Sequence, residues 1–250
     1  MSSLAQRRAK FRALHQQGCF VLPNPWDGGS AQRCAKAGFE AIASTSAGAA
    51  WAMGKDDGEM SVDEVLHHLQ FLSGLTDLPV NADFEAGFAD TADGVARNVT
   101  RCIATGVSGL SIEDRDGGKF FALDEAVARV AAARRAIDAS GENVVLVGRC
   151  EAYLMAEIDM AEIIRRLQAY AAAGADCVYA PGLKSLTQFA EIVRAVNKPV
   201  NANLTGTGLS VAQLAGVGVR RVSVGAALAR ATYGAFEGYL GRLQTAGTLP

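Results

Sequence analysis

Polar residues able to bind an oxygen-rich ligand fall at the ends of the chain's apolar runs. Five such ends read Ser44-Thr45-Ser46-Ala47-Gly48, Asn81-Ala82-Asp83-Phe84-Glu85, Ile112-Glu113-Asp114-Arg115, Arg149-Cys150-Glu151 and Asn201-Ala202-Asn203-Leu204-Thr205. If residues 80–84 are extended, Asn81 and Asp83 share one side of the strand. Asp83 and Glu113, on neighbouring strand tips, would then converge as oxygen ligands. Oxygen-only ligation by few protein groups suits Mg²⁺, which keeps several waters and takes other ligands from the substrate. A lone Asp after a strand more often caps a helix or solvates a loop; the in-phase set on successive strands favours the metal. Arg149 follows the apolar run 143–148, and a guanidinium there suits bidentate binding of a substrate carboxylate. Its competing role is a structural salt bridge to Glu113 or Glu151. The turn at 44–48 offers hydroxyl and backbone N–H groups to an anion.

Other chemistries find no support. His15, His67 and His68 lie in helix-period segments away from the strand ends, where surface solvation is expected, so neither a zinc site nor a histidine base is predicted. There is no GxSxG elbow for acyl transfer. Gly216-Val217-Gly218-Val219 precedes a strand rather than following one, which removes dinucleotide binding. The net charge of −2, with acidic and basic residues interleaved, gives no attraction to nucleic acid or an acidic membrane. No uncharged apolar run reaches the roughly 20 residues of a membrane span. Five dispersed cysteines read as free thiols, and a cytoplasmic protein is expected.

What would position these residues is a chain of alternating strands and helices. Strands are expected at 19–22, 41–44, 80–83, 109–113, 144–149, 177–180, 199–202 and 221–224. A leading helix spans 4–17, and others fall at 29–37, 62–73, 91–104, 124–138, 159–172, 185–196, 210–214 and 226–243. Repeated βα units in this number predict a closed (β/α)₈ barrel over residues 1–250 as a single domain. Gly38, Gly106, Gly174 and Gly218 recur at the helix-to-strand turns, where a left-handed C-cap is needed. In such a barrel the chemistry sits at the C-terminal strand ends, where the polar residues fall. Gly117-Gly118 reads as the tip of a gate, with Lys119 or Asp116 closing on the substrate to exclude water.

Taken in order, LPNPWDGGSA (22–31), ASTSAG (43–48), PVNADFEAGF (79–88), GLSIEDR (109–115), VGRCE (147–151), YAPGL (179–183) and KPVNANLT (198–205) resemble the isocitrate lyase/phosphoenolpyruvate mutase superfamily. The resemblance implies a (β/α)₈ barrel and a homo-oligomer, a dimer or tetramer with the last helix exchanged. It implies Mg²⁺ near Asp83, with Glu113 and Asp57 acting through water. It also implies that Thr45, Ser46 and Ala47 cradle a substrate carboxylate and that Arg149 binds substrate. Asn203 and Thr205 would lie near a second carboxylate or phosphonyl group.

Departures from the family narrow the subtype. The lid reads Arg115-Asp116-Gly117-Gly118-Lys119-Phe120, without the Cys and His of the isocitrate and methylisocitrate lyases. Asn81 stands where the family's paired acids begin, and Ala180-Pro181-Gly182 replaces a lyase Glu. The chain is thus similar to the uncharacterised, phosphonomutase-like branch. The expected activity is that of a Mg²⁺-dependent lyase on a small 2-oxo- or 2-hydroxy-dicarboxylate. It would proceed through an enolate, by C–C cleavage or by decarboxylation in the manner of an oxaloacetate decarboxylase, with Arg149, Glu113 and Lys119 as catalytic groups. The alternatives are a phosphonomutase or phosphonate hydrolase acting on a P–C bond, and a metabolite-binding barrel without turnover.

Overall fold

The structure, a computed structural model, describes residues 2–155 and 159–249. The elements run in order α1 (Leu4–Leu14), β1 (Phe20–Leu22), α2 (Gly28–Lys36), β2 (Ile42–Ala43), α3 (Ser46–Ala52), α4 (Val62–Leu75), β3 (Val80–Asp83) and α5 (Ala92–Ala104). They continue with β4 (Gly109–Glu113), β5 (Arg115–Asp116), β6 (Lys119–Phe120), α6 (Leu123–Ser140), β7 (Val145–Arg149), α7 (Ala152–Met155) and α8 (Met160–Ala172). The remainder is β8 (Cys177–Tyr179), α9 (Leu186–Ala195), β9 (Val200–Asn203), α10 (Val211–Gly216), β10 (Arg221–Ser223) and α11 (Ala227–Ala246).

Eight parallel strands form one sheet in the order β1-β10-β9-β8-β7-β4-β3-β2. At the seam the Ala43 N–H donates to the Pro23 carbonyl (3.0 Å), and the Asn24 amide donates to the Ser44 carbonyl (2.9 Å). The sheet is therefore a nearly closed (β/α)₈ barrel, as expected. The helix starts follow local chemistry: Ser3, Asp27, Ser61, Ser185 and Ser210 each make a reciprocal capping box. Gly38, Gly106, Gly174 and Gly218 all take positive φ at the turns back to the sheet.

Alternation along the strands makes two cores. Outward residues such as Ile42, Ala82, Leu110, Leu146 and Val178 pack against the helices. Inward residues Phe20, Leu22, Ala43, Val145, Val147 and Cys177 fill the lumen, and Phe11 of α1 plugs it from below. His15 corrects the surface expectation for the histidines. It is buried edge-on between Phe11 and Phe20, with Nδ1 2.8 Å from the Phe11 carbonyl oxygen. Burial, helped by Arg221, lowers its pKa to about 3.

Two elements stand apart from the repeat. The expected gate is a hairpin, β5 antiparallel to β6, turning through Gly117 at φ +53°. Helix α11 buries only Ala229, leaving Phe236, Tyr239, Leu240 and Leu243 exposed. Among the described residues no helix is long and apolar enough to cross a membrane.

Candidate active site

Strand register brings the expected residues together. Pairing of β4 with β7 sets Glu113 directly across from Arg149, and pairing of β3 with β4 sets Asp83 beside Ser111, one pleat below Glu113. Arg149 Nη1 lies 3.1 Å from Asp83 Oδ1 and 3.1 Å from Glu113 Oε2, and Nε donates to Glu151 Oε1 at 2.5 Å. Both salt bridges that the sequence offered as Arg149's competing role are thus present. The second oxygen of Asp83 receives the Ser46 N–H (3.1 Å), and the Asp83 N–H donates to the Ser44 hydroxyl (2.8 Å). Asp114 turns the other way. It accepts the Glu151 N–H (2.7 Å), the Tyr170 hydroxyl (2.5 Å) and Arg166 (3.3 Å), and so braces Glu151 from behind.

One guanidinium therefore faces three carboxylates, and the imbalance shows in the acid–base behaviour. Burial opposes the charge on Arg149, but Glu113, Glu151 and Asp83 outweigh it and hold its pKa well above the ordinary value. Burial pushes the Glu113 carboxyl well up; Arg149 pulls the other way, and Glu151, Asp83 and Glu85 add repulsion. Glu85 is raised to about 8 by burial, then by Asp83 and Asp57, against Arg149. Its backbone sits at φ +43°, a region that costs a non-glycine residue about 1–3 kcal/mol. Asn81, by contrast, lies one pleat below Asp83 and accepts a hydrogen bond from Arg221 (3.2 Å). The closely spaced acids at this strand tip are thus Asp83 and Glu85, not a pair beginning at Asn81. The two-residue spacing from Asp83 to Glu85 was the signal available in the sequence.

The strand tips enclose a cavity of about 230 Å³. Thr45, Ser46, Ala47, Asp57, Asp83, Arg149 and Asn203 line it, as the sequence led one to expect. Thr45 caps α3, a helix that approaches its neighbours closely: a Cβ on Gly48 would stand 2.8 Å from Trp26 Cβ and 3.3 Å from Ala229. The Glu113 carboxylate pairs with Arg149, and Glu113 does not line the cavity wall among the described residues. Two assigned residues lie elsewhere. Thr205 gives its hydroxyl to the Val224 carbonyl (2.7 Å) and lines an adjoining groove with Arg230. Lys119 is exposed on β6, where Glu125 of the following helix (3.4 Å) and the Phe121 ring (4.8 Å) hold it.

Sequence reasoning missed several cavity residues. Asn24 ties the mouth together: its Oδ1 accepts the N–H groups of Val224 and Gly225, both at 3.0 Å. Tyr179, whose ring lies 5.4 Å from the Arg149 guanidinium, receives a hydrogen bond from Asn203 (3.2 Å). Arg221 and Ser223 form a deeper polar layer together with Asn201, which the sequence had already placed at a polar strand end. His68, expected at the surface, instead borders a void of about 10 Å³ shared with Asp83 and Ser44.

Comparison with known proteins agrees with this geometry. The family model for phosphoenolpyruvate phosphomutase matches residues 11–243. A solved structure from Burkholderia cenocepacia J2315, assigned as a lyase/mutase, is 44% identical with a TM-score of 0.95, covering 98% of this chain and 91% of that one. The 2-methylisocitrate lyase of Escherichia coli (strain K12) is 32% identical over 185 residues, 69% of this chain and 61% of its own length. A structure of oxaloacetate acetylhydrolase with its product oxalate is 26% identical with a TM-score of 0.90, covering 100% of this chain and 90% of that one. The chain belongs to the phosphoenolpyruvate phosphomutase family, within the isocitrate lyase/PEP mutase superfamily.

Proposed function

We propose that the protein is a Mg²⁺-dependent lyase that cleaves or decarboxylates a small 2-oxo- or 2-hydroxy-dicarboxylate through an enolate. The observation that carries this reading is the cluster at the strand tips, where Asp83, Glu113 and Glu151 meet the single guanidinium of Arg149. The oxalate bound to oxaloacetate acetylhydrolase, a relative of the same fold, supports a ligand of this class.

The donor set fits a hard cation held largely through water. Among the described residues no three acids, histidines or cysteines stand close enough to enclose an ion directly. Burial first, and then the charges of the nearby Asp83 and Asp57, nevertheless push the Glu85 carboxyl up to about 8. Asp83 would be the direct ligand, with Glu113, Glu85 and Asp57 orienting its waters. When bound, Mg²⁺ supplies positive charge at the developing enolate oxygen. Arg149 pairs with the substrate carboxylate and neutralises charge that grows in the transition state, an effect worth several kcal/mol in a water-poor site. Thr45, Ser46 and Ala47 fix the orientation of the reacting end, and Asn203 with Tyr179 forms the opposite wall. We also propose that a second copy of the chain covers α11, giving a homo-oligomer.

Thermal melting with Mg²⁺ and oxalate, together and singly, tests the site. At a hundredfold excess over Kd a ligand adds about 2.7 kcal/mol, a rise of roughly 5–10 °C for a chain of this size. The shift should require both components and disappear in Asp83→Ala, which should also lose turnover while keeping its fold. Turnover retained in Asp83→Ala would end the metal assignment. In assays of phosphonopyruvate followed by ³¹P resonance, no new phosphorus product is expected; one would move the chemistry to the P–C bond.

A further inference from the structure

Beneath the carboxylate cluster the barrel carries a second charge with no counterpart among the described residues. Arg221, at the start of β10, is only 4% exposed yet contributes to the wall of the 230 Å³ cavity. Three other arginines are as deeply buried, and each meets a carboxylate. Arg8 pairs with Glu142, Arg129 with Glu125 (3.3 Å), and Arg166 with Asp114 (3.3 Å) and Glu162 (2.8 Å). Arg221 has no ion pair among the described residues. Its one hydrogen bond runs from Nη1 to Asn81 Oδ1 at 3.2 Å, and its Nε is buried without a partner.

The surroundings leave one direction from which a counter-charge can come. Below, the Phe11 ring lies 5.9 Å from the guanidinium carbon, so the apolar plug closes that side. Beside it, Asn201 donates to the Ser223 hydroxyl (3.0 Å), and this pair is neutral. Asp83 acts on Arg221 only at a distance and is itself bonded to Arg149 and Ser46. A buried charge without a partner is strongly unfavourable. Here it faces a cavity, so the missing anion is one that enters with a ligand.

We propose that Arg221 forms an anion subsite at the bottom of the cavity and binds the distal carboxylate of a dicarboxylate ligand. Asn81 fixes the orientation of the guanidinium, and Ser223 and Asn201 complete the neutral wall. The assignment of the ligand's other end to Asp83 and Arg149 rests on the function proposed above; the subsite itself rests on Arg221 alone. A monocarboxylate of the same length leaves the guanidinium unpaired, so the subsite selects for dianions.

Calorimetric titration in the presence of Mg²⁺ tests this with three probes. Malate and 2-hydroxybutyrate differ only by a carboxylate in place of a methyl group, and oxalate is short enough to report on the upper cluster. Wild-type protein should bind malate about ten- to hundredfold more tightly than 2-hydroxybutyrate, the worth of a charge-assisted pair. In Arg221→Met that ratio should fall below about threefold, with oxalate affinity nearly unchanged and a ligand-free melting temperature above that of wild type. Arg221→Lys should recover part of the malate preference, and it gives the reading if the methionine variant fails to fold. A wild-type protein without the preference, a preference that survives Arg221→Met, or an equal loss of oxalate overturns the subsite. If the upper-cluster reading is wrong instead, oxalate binding will not depend on Mg²⁺ or Asp83, while the malate preference still collapses in Arg221→Met.

Discussion

Arg149 touches Asp83, Glu113 and Glu151 with two different edges of one planar group, and this determines what can replace it. A lysine ammonium keeps the charge but loses the fork, so it cannot hold Nη1-type and Nε-type contacts at once. Arg149→Lys should therefore lower kcat/KM by about 10²-fold, since charge-assisted bonds contribute roughly 1.5–3 kcal/mol each, with the folded circular dichroism spectrum retained. A loss below threefold would mean that Arg149 only ties the strands together. Asp83, Glu113 and Arg149 were legible because period-two alternation and the order of strands fix their side and depth without knowledge of register. Arg221 was not legible. In sequence it is half of an Arg220-Arg221 pair, and either residue could be the exposed one. The barrel register decides: Arg220 donates outward to the Gly18 carbonyl (3.1 Å), while Arg221 points into the lumen. Lys119 is a different case. Its gate position was visible, but in the structure it stands exposed beside Glu125, six residues on, and away from the cavity wall.

Helix α1 shows what an element outside the βα repeat does for the site. Its stripe Arg8, Phe11 and His15 recurs at three and four residues, a spacing present in the sequence, and it closes the lumen directly below Arg221. What the sequence did not reveal was that this face meets the barrel's lower end, because the repeat itself assigns the leading helix no partner. The burial of His15 carries a pH signature. Its pKa falls from 6.5 in the unfolded chain to about 3 in the folded one, so the unfolded state binds an extra proton between those values. The stability that comes from keeping His15 neutral is complete above pH 6.5 and is lost as the pH falls towards 3. Chemical denaturation at pH 7.5, 6, 5 and 4.5 should show wild type losing up to about 1.4 kcal/mol per pH unit below 6.5 relative to His15→Leu. Parallel curves for the two proteins would show that His15 titrates normally in the fold. The β5–β6 hairpin and α3 were absent from the expected element list for a different reason. Each is shorter than the window over which periodicity can be read, and each depends on the neighbouring strand tips for its place.

At the scale of the whole molecule the unbalanced feature is α11. Phe236, Tyr239, Leu240 and Leu243 follow at three- and four-residue intervals, a single apolar stripe, and Phe236 is 58% exposed. The sequence periodicity predicted this helix at 226–243 correctly in kind, but periodicity cannot say which surface covers a stripe. The barrel covers little beyond Ala229, with Tyr233 set 6.4 Å from both Trp26 and Trp51. A 20-residue helix holding its apolar face in water gains little from tertiary packing, which supplies most of a helix's stability in a folded protein. A second copy presenting the same stripe satisfies both partners with one isologous contact. Light scattering at micromolar concentration should accordingly give a dimer or tetramer for the wild type. Phe236→Glu combined with Leu240→Glu should give a folded monomer, because both charges fall in the middle of the stripe. Since Arg230 of the same helix borders the cavity, the monomer should also bind malate more weakly. A wild-type protein that is monomeric at these concentrations, or a double variant that keeps the assembly, would assign the stripe to some other covering surface.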